Sequence, residues 1–286
     1  MSILLGSNSA VFDAMNDAGI SVRTFRAYRD RYNVVPTAWP TKASVPDAKV
    51  TLSIRPVPAD LLAGRLDEQL EAFIASAEPG AKLSAWHEAS NLPGYPDFVN
   101  AANMSAVHAY LRELCRGSNV RYGSIICAVP SSTRQWMGTG LDWYGLDIYD
   151  FGEGQFRNLG DGGISKTLVF ARLDDMLRTC RELTGTDAPQ IDICETNSPR
   201  QAHRADWLAL LAQWLTSHGG GRLQTFWNPS GSLSGPWLPD DLETISGLRE
   251  IARTGGVAGD GRYRSLGTQN RLSPRTAGHF IAQCSC

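Results

Sequence analysis

The sequence predicts an α/β fold of the (β/α)8, or TIM barrel, type, and three observations lead to that prediction. Short β-type runs alternate with helical patterns from the first residues to about residue 254. The runs number eight, which is the strand count of such a barrel. The first run leads into Gly6-Ser7-Asn8-Ser9, which lacks the G-x-G-x-x-G spacing of a doubly wound dinucleotide-binding sheet.

The predicted strands are short apolar runs bounded by turn residues. They cover residues 3–5, 21–25, 50–54, 83–88, 121–129, 143–149, 190–195 and 223–227. Helical patterns cover residues 10–18, 59–77, 105–116, 167–183, 200–217 and 239–252. The second of them places Leu61, Leu66 and Leu70 on one stripe with Glu68 and Glu71 largely opposite, as on a helix that packs on a sheet. Two connections, 27–49 and 130–141, are rich in Pro, Gly, Ser and Trp and are predicted to be loops or short helices.

Length and charge favour one barrel with an appendage. The chain has 286 residues and a formal net charge of −2, and residues 1–256 contain all the strand and helix patterns. Residues 257–286 are rich in Gly, Ser and Arg, with four Arg against the single acid Asp260. We therefore expect a barrel over 1–256 and a basic tail over 257–286 that is flexible or draped on the barrel.

The composition also argues against some classes of binding partner. Lys and Arg cluster on no segment of the barrel, so neither nucleic acid nor an anionic membrane is an expected partner. No apolar run approaches the roughly 18 to 20 residues that span a bilayer. The first residues lack the basic start and apolar stretch of a signal peptide. The six cysteines show no CxxC spacing and are expected to be mostly buried free thiols.

Two predicted strands end in a glutamate. The fourth run ends in Trp86-His87-Glu88 and the seventh ends in Glu195. The carboxyl ends of barrel strands carry the chemistry in this fold, and strands four and seven face each other across its mouth. Hydrolysis of a glycosidic bond with retention needs two carboxyl groups about 5 to 5.5 Å apart. The pair predicts that chemistry, although either glutamate alone could instead bind a metal or pair with a loop arginine.

The sixth strand supplies a further candidate. Its alternation places Trp143, Gly145, Asp147 and Tyr149 on the face predicted to fill the barrel. Tyr149 then emerges beside strand seven, where its phenol can donate a hydrogen bond to Glu195 and hold it ionised. The alternative is that Tyr149 only packs the top of the barrel.

These motifs resemble the clan A retaining glycoside hydrolases, and among them family 26, which includes β-mannanases. The resemblance rests on His87 directly before Glu88, on the Asp-Trp-x-Gly-x-Asp-x-Tyr pattern at 142–149, and on the aromatic strand-eight end around Trp227. It implies Glu88 as acid/base, Glu195 as nucleophile, Tyr149 as partner of the nucleophile and His87 as a substrate or acid/base contact. It also implies a sugar platform at Trp227 and a carbohydrate substrate, with no metal or organic cofactor. The segments 91–95 and 196–198 depart from the family pattern, so the chain could belong to a related family that acts on another glycan.

Aromatic residues in the connections after strands support a carbohydrate cleft. Flat rings stack on sugar faces, although any one ring is as readily explained by packing. The candidates in these connections are Trp39, Tyr95, Trp136, Trp227 and Trp237. Arg55, at the end of strand three, could bind a hydroxyl or an acidic sugar, or pair with one of the two glutamates, and Asn91 is a further candidate for a sugar hydroxyl.

Three other functions fit parts of the sequence. A substrate-assisted hydrolase of chitinase type would use the acidic run Asp142, Asp147 and Asp150, but Glu does not close that run. A metal-dependent barrel hydrolase would need several His at strand ends, and only His87 is in such a place. A catalytically silent, lectin-like barrel would have no need of two glutamates. We expect a monomer that is exported or at the cell surface if a signal has been trimmed from this chain, and cytoplasmic otherwise.

Overall fold

A computed structural model describes residues 2–4, 24–40, 49–90, 95–127, 129–149, 166–197, 201–218 and 222–223. Within these residues, eight strands form one sheet in chain order, and every neighbouring pair is parallel. The strands are β1 (Ser2–Leu4), β2 (Thr24–Tyr32), β3 (Lys49–Arg55), β4 (Ala81–Ala85), β5 (Val120–Ile126), β6 (Trp143–Tyr149), β7 (Ile191–Asn197) and β8 (Arg222–Leu223). Eight parallel strands in chain order confirm the predicted (β/α)8 fold class.

The described helices follow the strands as the fold requires. They are α1 (Pro58–Leu62), α2 (Asp67–Ala75), α3 (Ala101–Leu114), α4 (Pro130–Thr133), α5 (Lys166–Thr184) and α6 (Gln201–His218), with a 3-10 turn at Arg134–Trp136. Helix α3 begins where the Asn100 side chain accepts a 3.0 Å hydrogen bond from the Asn103 amide. On α5 an apolar stripe at helical spacing faces the sheet, formed by Val169, Leu173, Met176, Cys180 and Leu183.

The structure corrects three predicted boundaries. The helix predicted over 59–77 is two helices, α1 and α2, because the chain turns at Gly64, where φ is 72°. The connection predicted over 27–49 begins later, since β2 continues to Tyr32. The strand predicted over 83–88 ends at Ala85. The helices predicted over 10–18 and 239–252 and the tail over 257–286 lie outside the described residues.

The alternation predicted for β6 is confirmed. Tyr144, Leu146 and Ile148 are fully buried in the core between the sheet and the helices. Trp143 lies on the other face, in a small cluster with Ile125 and Cys194. This inner face is the filled interior of the barrel.

The inner face contains a buried ion pair nearer the start of the strands. Lys82 is the second residue of β4 and Asp192 is the second of β7, and the Lys82 ammonium donates to the Asp192 carboxylate. The same ammonium lies 4.9 Å from the centroid of the Trp143 ring. The pair fixes the separation of β4 and β7 below the ends that carry Glu88 and Glu195.

Among the described helices, none has the length and apolar character needed to cross a bilayer.

Gly123 gives a test of the packing inside the barrel. A Cβ atom there would lie 2.3 Å from Cε2 of Trp143 and 2.5 Å from its backbone oxygen. Because a backbone atom cannot swing aside, we expect Gly123→Ala to lower the free energy of unfolding by about 1 to 3 kcal/mol, measured by urea denaturation. The control is Gln69→Ala, at an exposed position of α2, which should change it by less than about 0.5 kcal/mol. Equal stability of the two variants would contradict the packing described.

Candidate active site

Glu195 faces the barrel because of an irregularity in β7. Strict alternation from Asp192 would turn Cys194 inward and Glu195 outward. The register between β6 and β7 shifts after Leu146, so that Leu146 pairs with Ile193 but Asp147 pairs with Glu195. Cys194 and Glu195 therefore both contact interior residues, whereas Thr196 faces the helices and accepts a hydrogen bond from Trp207 of α6. The bulge delivers the predicted carboxylate to the site.

Two donors hold the Glu195 carboxylate. The Tyr149 hydroxyl donates to Oε2, as the alternation of β6 predicted, and Arg26 lies with Nη1 at 2.8 Å from Oε1. Glu195 is 7% exposed. Burial raises the pKa of Glu195, and the positive charge of Arg26 opposes that rise. Because both neighbours donate, they favour the ionised carboxylate.

Arg26 contacts carboxylates on two strands, that of Asp147 on β6 and that of Glu195 on β7. It lies on β2 with no solvent exposure, and its Nη1 and Nη2 are 2.9 and 3.3 Å from the two carboxylate oxygens of Asp147. The same guanidinium reaches Glu195. Arginine binds a carboxylate most firmly when two of its N–H groups donate to the two oxygens, as they do here to Asp147.

The backbone around Glu88 is unusual. Trp86 and Glu88 have φ angles of 49° and 56°, although neither is glycine. The amide of Trp86 donates to the Ile54 carbonyl of β3, and the amide of Glu88 donates to the Ile125 carbonyl of β5, each at 3.0 Å. The segment after β4 is thus held between both neighbouring strands in a left-handed conformation. Such conformations cost about 1 to 3 kcal/mol each and concentrate at functional sites.

Side chains from several elements, those of Arg26, Cys127 and Asp147, influence the pKa of the Glu88 carboxyl. Burial and the negative charge of Asp147 raise its pKa to about 7, while Arg26 and the thiol act in the opposite direction. A carboxyl with this pKa is largely protonated in mildly acidic solution and loses its proton near neutrality.

His87 and Arg55 lie on the same rim. Burial first, and then the charges of Arg26 and Arg55, hold the pKa of His87 well below its usual range, so its imidazole is neutral. The Arg55 guanidinium lies 5.1 Å from the centroid of the Tyr95 ring and donates to its hydroxyl at 3.3 Å. The Tyr95 hydroxyl in turn donates to the His87 carbonyl. This chain of contacts fixes the loop next to Glu88.

Tryptophans in the described part of the chain mostly build the core. Trp39 is 7% exposed and stacks on Phe73 of α2 with ring centroids 4.6 Å apart, so its predicted place in a cleft is wrong. Trp136 is partly buried against the main core, and its carbonyl is bonded to His108 of α3. This position gives Trp136 a packing role, while its sugar contact stays a prediction. Asn91, Trp227 and Trp237 lie outside the described residues.

Asp142 lies at the far end of β6 from the site. It precedes the first strand residue, and its carboxylate accepts a 2.9 Å hydrogen bond from the Tyr122 amide. Asp142 and Asp147 are therefore separated by most of the strand, and Asp150 lies outside the described residues. In the described residues, no group of three or more His, Cys, Asp or Glu side chains is arranged to hold a metal ion.

Sequence reasoning missed Arg26 and Cys127. Arg26 directly follows the predicted end of strand two, in a segment rich in charged residues, and nothing in that segment indicates that it is buried. Cys127 was interpreted as an inert buried thiol, and nothing in the neighbouring sequence indicates that it influences the pKa of Glu88.

Comparison with known proteins identifies solved structures that share the fold of this chain. No protein-family model and no curated protein matches the sequence. Among solved structures, the chain is similar to a GH5-4 broad-specificity endoglucanase from Clostridium longisporum, with 13% identity, coverage of 87% of this chain and 86% of that chain, and a TM-score of 0.56. It is equally similar to a GH26 β-mannanase from Bacteroides ovatus, with 12% identity, coverage of 84% and 82%, and a TM-score of 0.56. A GH5-4 endoglucanase from Ruminococcus champanellensis with bound cellotriose shares 13% identity, coverage of 87% and 85%, and a TM-score of 0.51.

At these identities the similarity establishes the fold. Families 5 and 26 both belong to clan A, the clan that the sequence motifs resemble, so the fold expected from that resemblance is confirmed.

The raised pKa of Glu88 predicts a pH-dependent stability difference. Between the ordinary value of 4.5 and about 7, the folded protein holds a proton that the unfolded chain has lost. The wild-type free energy of unfolding should therefore fall relative to that of Glu88→Gln as pH rises through this window. Urea denaturation at a series of pH values measures the difference, with exposed Glu78→Gln as control. A difference that stays constant with pH would contradict the raised pKa.

Removing Arg26 should leave buried carboxylates without their counter-charge. We expect Arg26→Met to lower the free energy of unfolding at pH 7 by about 3 to 5 kcal/mol. The loss should be smaller at pH 5, because Asp147 and Glu195 can then take up protons. The matched control is Arg65→Met, which removes an exposed pair with Asp60 and should cost less than about 1 kcal/mol. A loss as small as that of the control would show that Arg26 does not compensate these charges.

Proposed function

We propose that the protein is a retaining glycoside hydrolase that cleaves a glycosidic bond in a poly- or oligosaccharide with Glu88 and Glu195. The observation that carries the proposal is the contrast between the two carboxyls. Glu195 is surrounded by the donors Tyr149 and Arg26, whereas Glu88 has a pKa of about 7 and faces Asp147. The donors around Glu195 favour an ionised carboxylate, whereas burial and the charge of Asp147 favour a protonated Glu88, and this reaction needs one carboxyl in each form.

In the first step, the ionised Glu195 attacks the anomeric carbon. The bond between that carbon and the bridging oxygen breaks, and Glu88 gives its proton to the departing oxygen. A covalent glycosyl ester on Glu195 results, and Glu88 is left ionised. The hydrogen bond from Tyr149 orients Glu195 for this attack.

In the second step, Glu88 acts as a base. It takes a proton from a water molecule, whose oxygen attacks the anomeric carbon and displaces Glu195. Glu195 returns to its ionised form beside Arg26, and Glu88 is protonated again. The configuration at the anomeric carbon is retained because it is inverted twice.

Substrate contacts are assigned to the rim around this pair. The neutral imidazole of His87 and the half-buried guanidinium of Arg55 can bind hydroxyls, and Asn91, Trp136 and Trp227 remain the candidates from sequence. The similar structures include an endoglucanase and a β-mannanase, which supports a β-linked glycan as the substrate class.

Single substitutions test the two roles. Wild type, Glu88→Ala, Glu195→Ala and the exposed control Glu78→Gln are assayed on β-mannan, β-glucan and xyloglucan and on aryl glycosides. We expect Glu195→Ala to lose hydrolysis and Glu88→Ala to lose about 10²- to 10⁴-fold on polysaccharides, because a poor leaving group needs the proton. On aryl glycosides with activated leaving groups, Glu88→Ala should still form the intermediate, and azide should accelerate its turnover.

Two outcomes would contradict this function. Full activity of either alanine variant would show that the assigned glutamate does not take part. Binding of a glycan by the wild type without hydrolysis of any substrate in the panel would favour the lectin-like alternative.

A further inference from the structure

An exposed aromatic ring lies at the rim of the barrel, at the end of β2. Among the described residues, five large apolar side chains are exposed, and Tyr32, at 46%, is the only aromatic one of the five. Tyr32 pairs with Arg55 at the carboxyl end of β3, so it lies at the same end of the barrel as Glu88 and Glu195. The ring therefore borders the proposed active site.

The Tyr32 ring packs on the segment that carries Glu88. Its centroid is 5.4 Å from that of Trp86 and 6.0 Å from that of Phe98, which meets it edge-on. Trp86 is 1% exposed, and its indole donates a 2.7 Å hydrogen bond to the Pro56 carbonyl. Since Trp86 and Glu88 share the left-handed segment after β4, one rigid unit holds both the exposed ring and the proposed acid/base.

The backbone of Tyr32 is fixed by the residue that follows it. Asn33 has a φ of 57°, and its amide donates a 3.0 Å hydrogen bond to the Arg55 carbonyl. The Asn33 side chain accepts a 2.7 Å hydrogen bond from the Val57 amide and donates to the Asp60 carboxylate. The ring is thus exposed but held in place, which lowers the entropic cost of binding a ligand against it.

We propose that Tyr32 is a substrate-binding residue whose exposed ring stacks on a sugar unit of the glycan, beside the guanidinium of Arg55. The inference rests on the proposed function and extends it. Tyr32 lies well beyond Arg26 along β2, and hence above the carboxyl groups at which the bond is cleaved. The stacked unit is therefore a neighbour of the sugar that Glu195 attacks, and the substrate class is an oligosaccharide or polysaccharide rather than a simple glycoside.

The chemistry around the ring fits a sugar. A sugar presents C–H groups on its faces and hydroxyls at its edge, so a site for it combines an aromatic surface with a few hydrogen-bond donors. Arg55 is half-buried, lies 6.0 Å from the centroid of the Trp86 ring and donates to the Tyr95 hydroxyl. A guanidinium has five N–H groups and can serve several acceptors at once.

Binding is measured by calorimetry in the full chain with Glu195→Ala, so that no ligand is consumed. The probes are tetrasaccharides of β-mannan and of β-glucan and a xyloglucan oligosaccharide. Tyr32→Phe keeps the ring, whereas Tyr32→Leu keeps an apolar contact with Trp86 but has no flat surface. Val34→Ala, at an exposed site on the same segment, is the control. We expect the Kd to rise about 3- to 10-fold in Tyr32→Leu and by less than about twofold in the other two.

A protection experiment needs no substitution at Tyr32. Its exposed ring should be nitrated by tetranitromethane, and mass spectrometry of peptides follows the rate. A probe that stacks on the ring should slow this nitration in proportion to the occupancy of the site. Tyr110 on α3, whose hydroxyl donates to Asp67, is the internal reference. An unchanged rate at Tyr32 when a probe saturates the protein would overturn the proposal.

Kinetics separate a contact with the substrate from support of Trp86. We expect Tyr32→Leu to raise KM for polysaccharide more than it lowers kcat, because the stacking is made in the ground state as well as in the transition state. The loss in kcat/KM should be larger for polysaccharide than for an aryl monoglycoside, which has no second sugar. If Tyr32 only supported Trp86, and through it Glu88, kcat would fall equally on both substrates and the proposal would be wrong.

The two proposals fail separately. Hydrolysis by the wild type, together with an unchanged Kd in Tyr32→Leu, would overturn the stacking role alone. A wild type that binds a probe and hydrolyses nothing would overturn the hydrolase, while weaker binding by Tyr32→Leu would still support the stacking site. A chain that neither binds nor hydrolyses any glycan in the panel would overturn both.

Discussion

One buried guanidinium organises the carboxyl end of this barrel. Burial raises the pKa of Glu88, Asp147 and Glu195 alike, and three carboxylates could not remain ionised together in such a place without a counter-charge. Arg26 lies within 3.3 Å of two of them, whereas the charge of Asp147 raises the pKa of Glu88 more than that of Arg26 lowers it. The surroundings of the two glutamates therefore differ because Glu195 has the arginine as a direct partner.

The barrel interior also contains buried charges nearer the start of the strands. Lys82 and Asp192 form a second buried pair near the start of β4 and β7, and Trp143 covers the ammonium. Buried ion pairs add little stability by themselves, but breaking one leaves a charge in an apolar setting at large cost. The two pairs thus hold the strands in one register and resist small displacements of the site above them.

The features of the site that depend on strand periodicity could be predicted from the sequence. The inward face of β6 follows from alternation, and Tyr149 meets Glu195 as that pattern requires. Glu195 itself reaches the interior only through the register shift beside Leu146, a tertiary feature that no periodicity reveals. The position in a cleft predicted for Trp39 was wrong, because its ring is buried in the core and stacks on Phe73. Arg26 was missed because β2 is rich in charged residues, and only the partners of Arg26, 121 residues away in the case of Asp147, show that this arginine is buried.

The position of the Glu88 carboxyl and its protonation depend on different parts of the molecule, although one sequence motif predicts both. The position of the carboxyl is set by the backbone, which is held to β3 and β5 in a left-handed conformation. Its protonation is set by side chains from β2, β5 and β6 that are remote in sequence. Since Asp147 holds Arg26 through both carboxylate oxygens and also raises the pKa of Glu88, a change at Asp147 would disturb the surroundings of both glutamates.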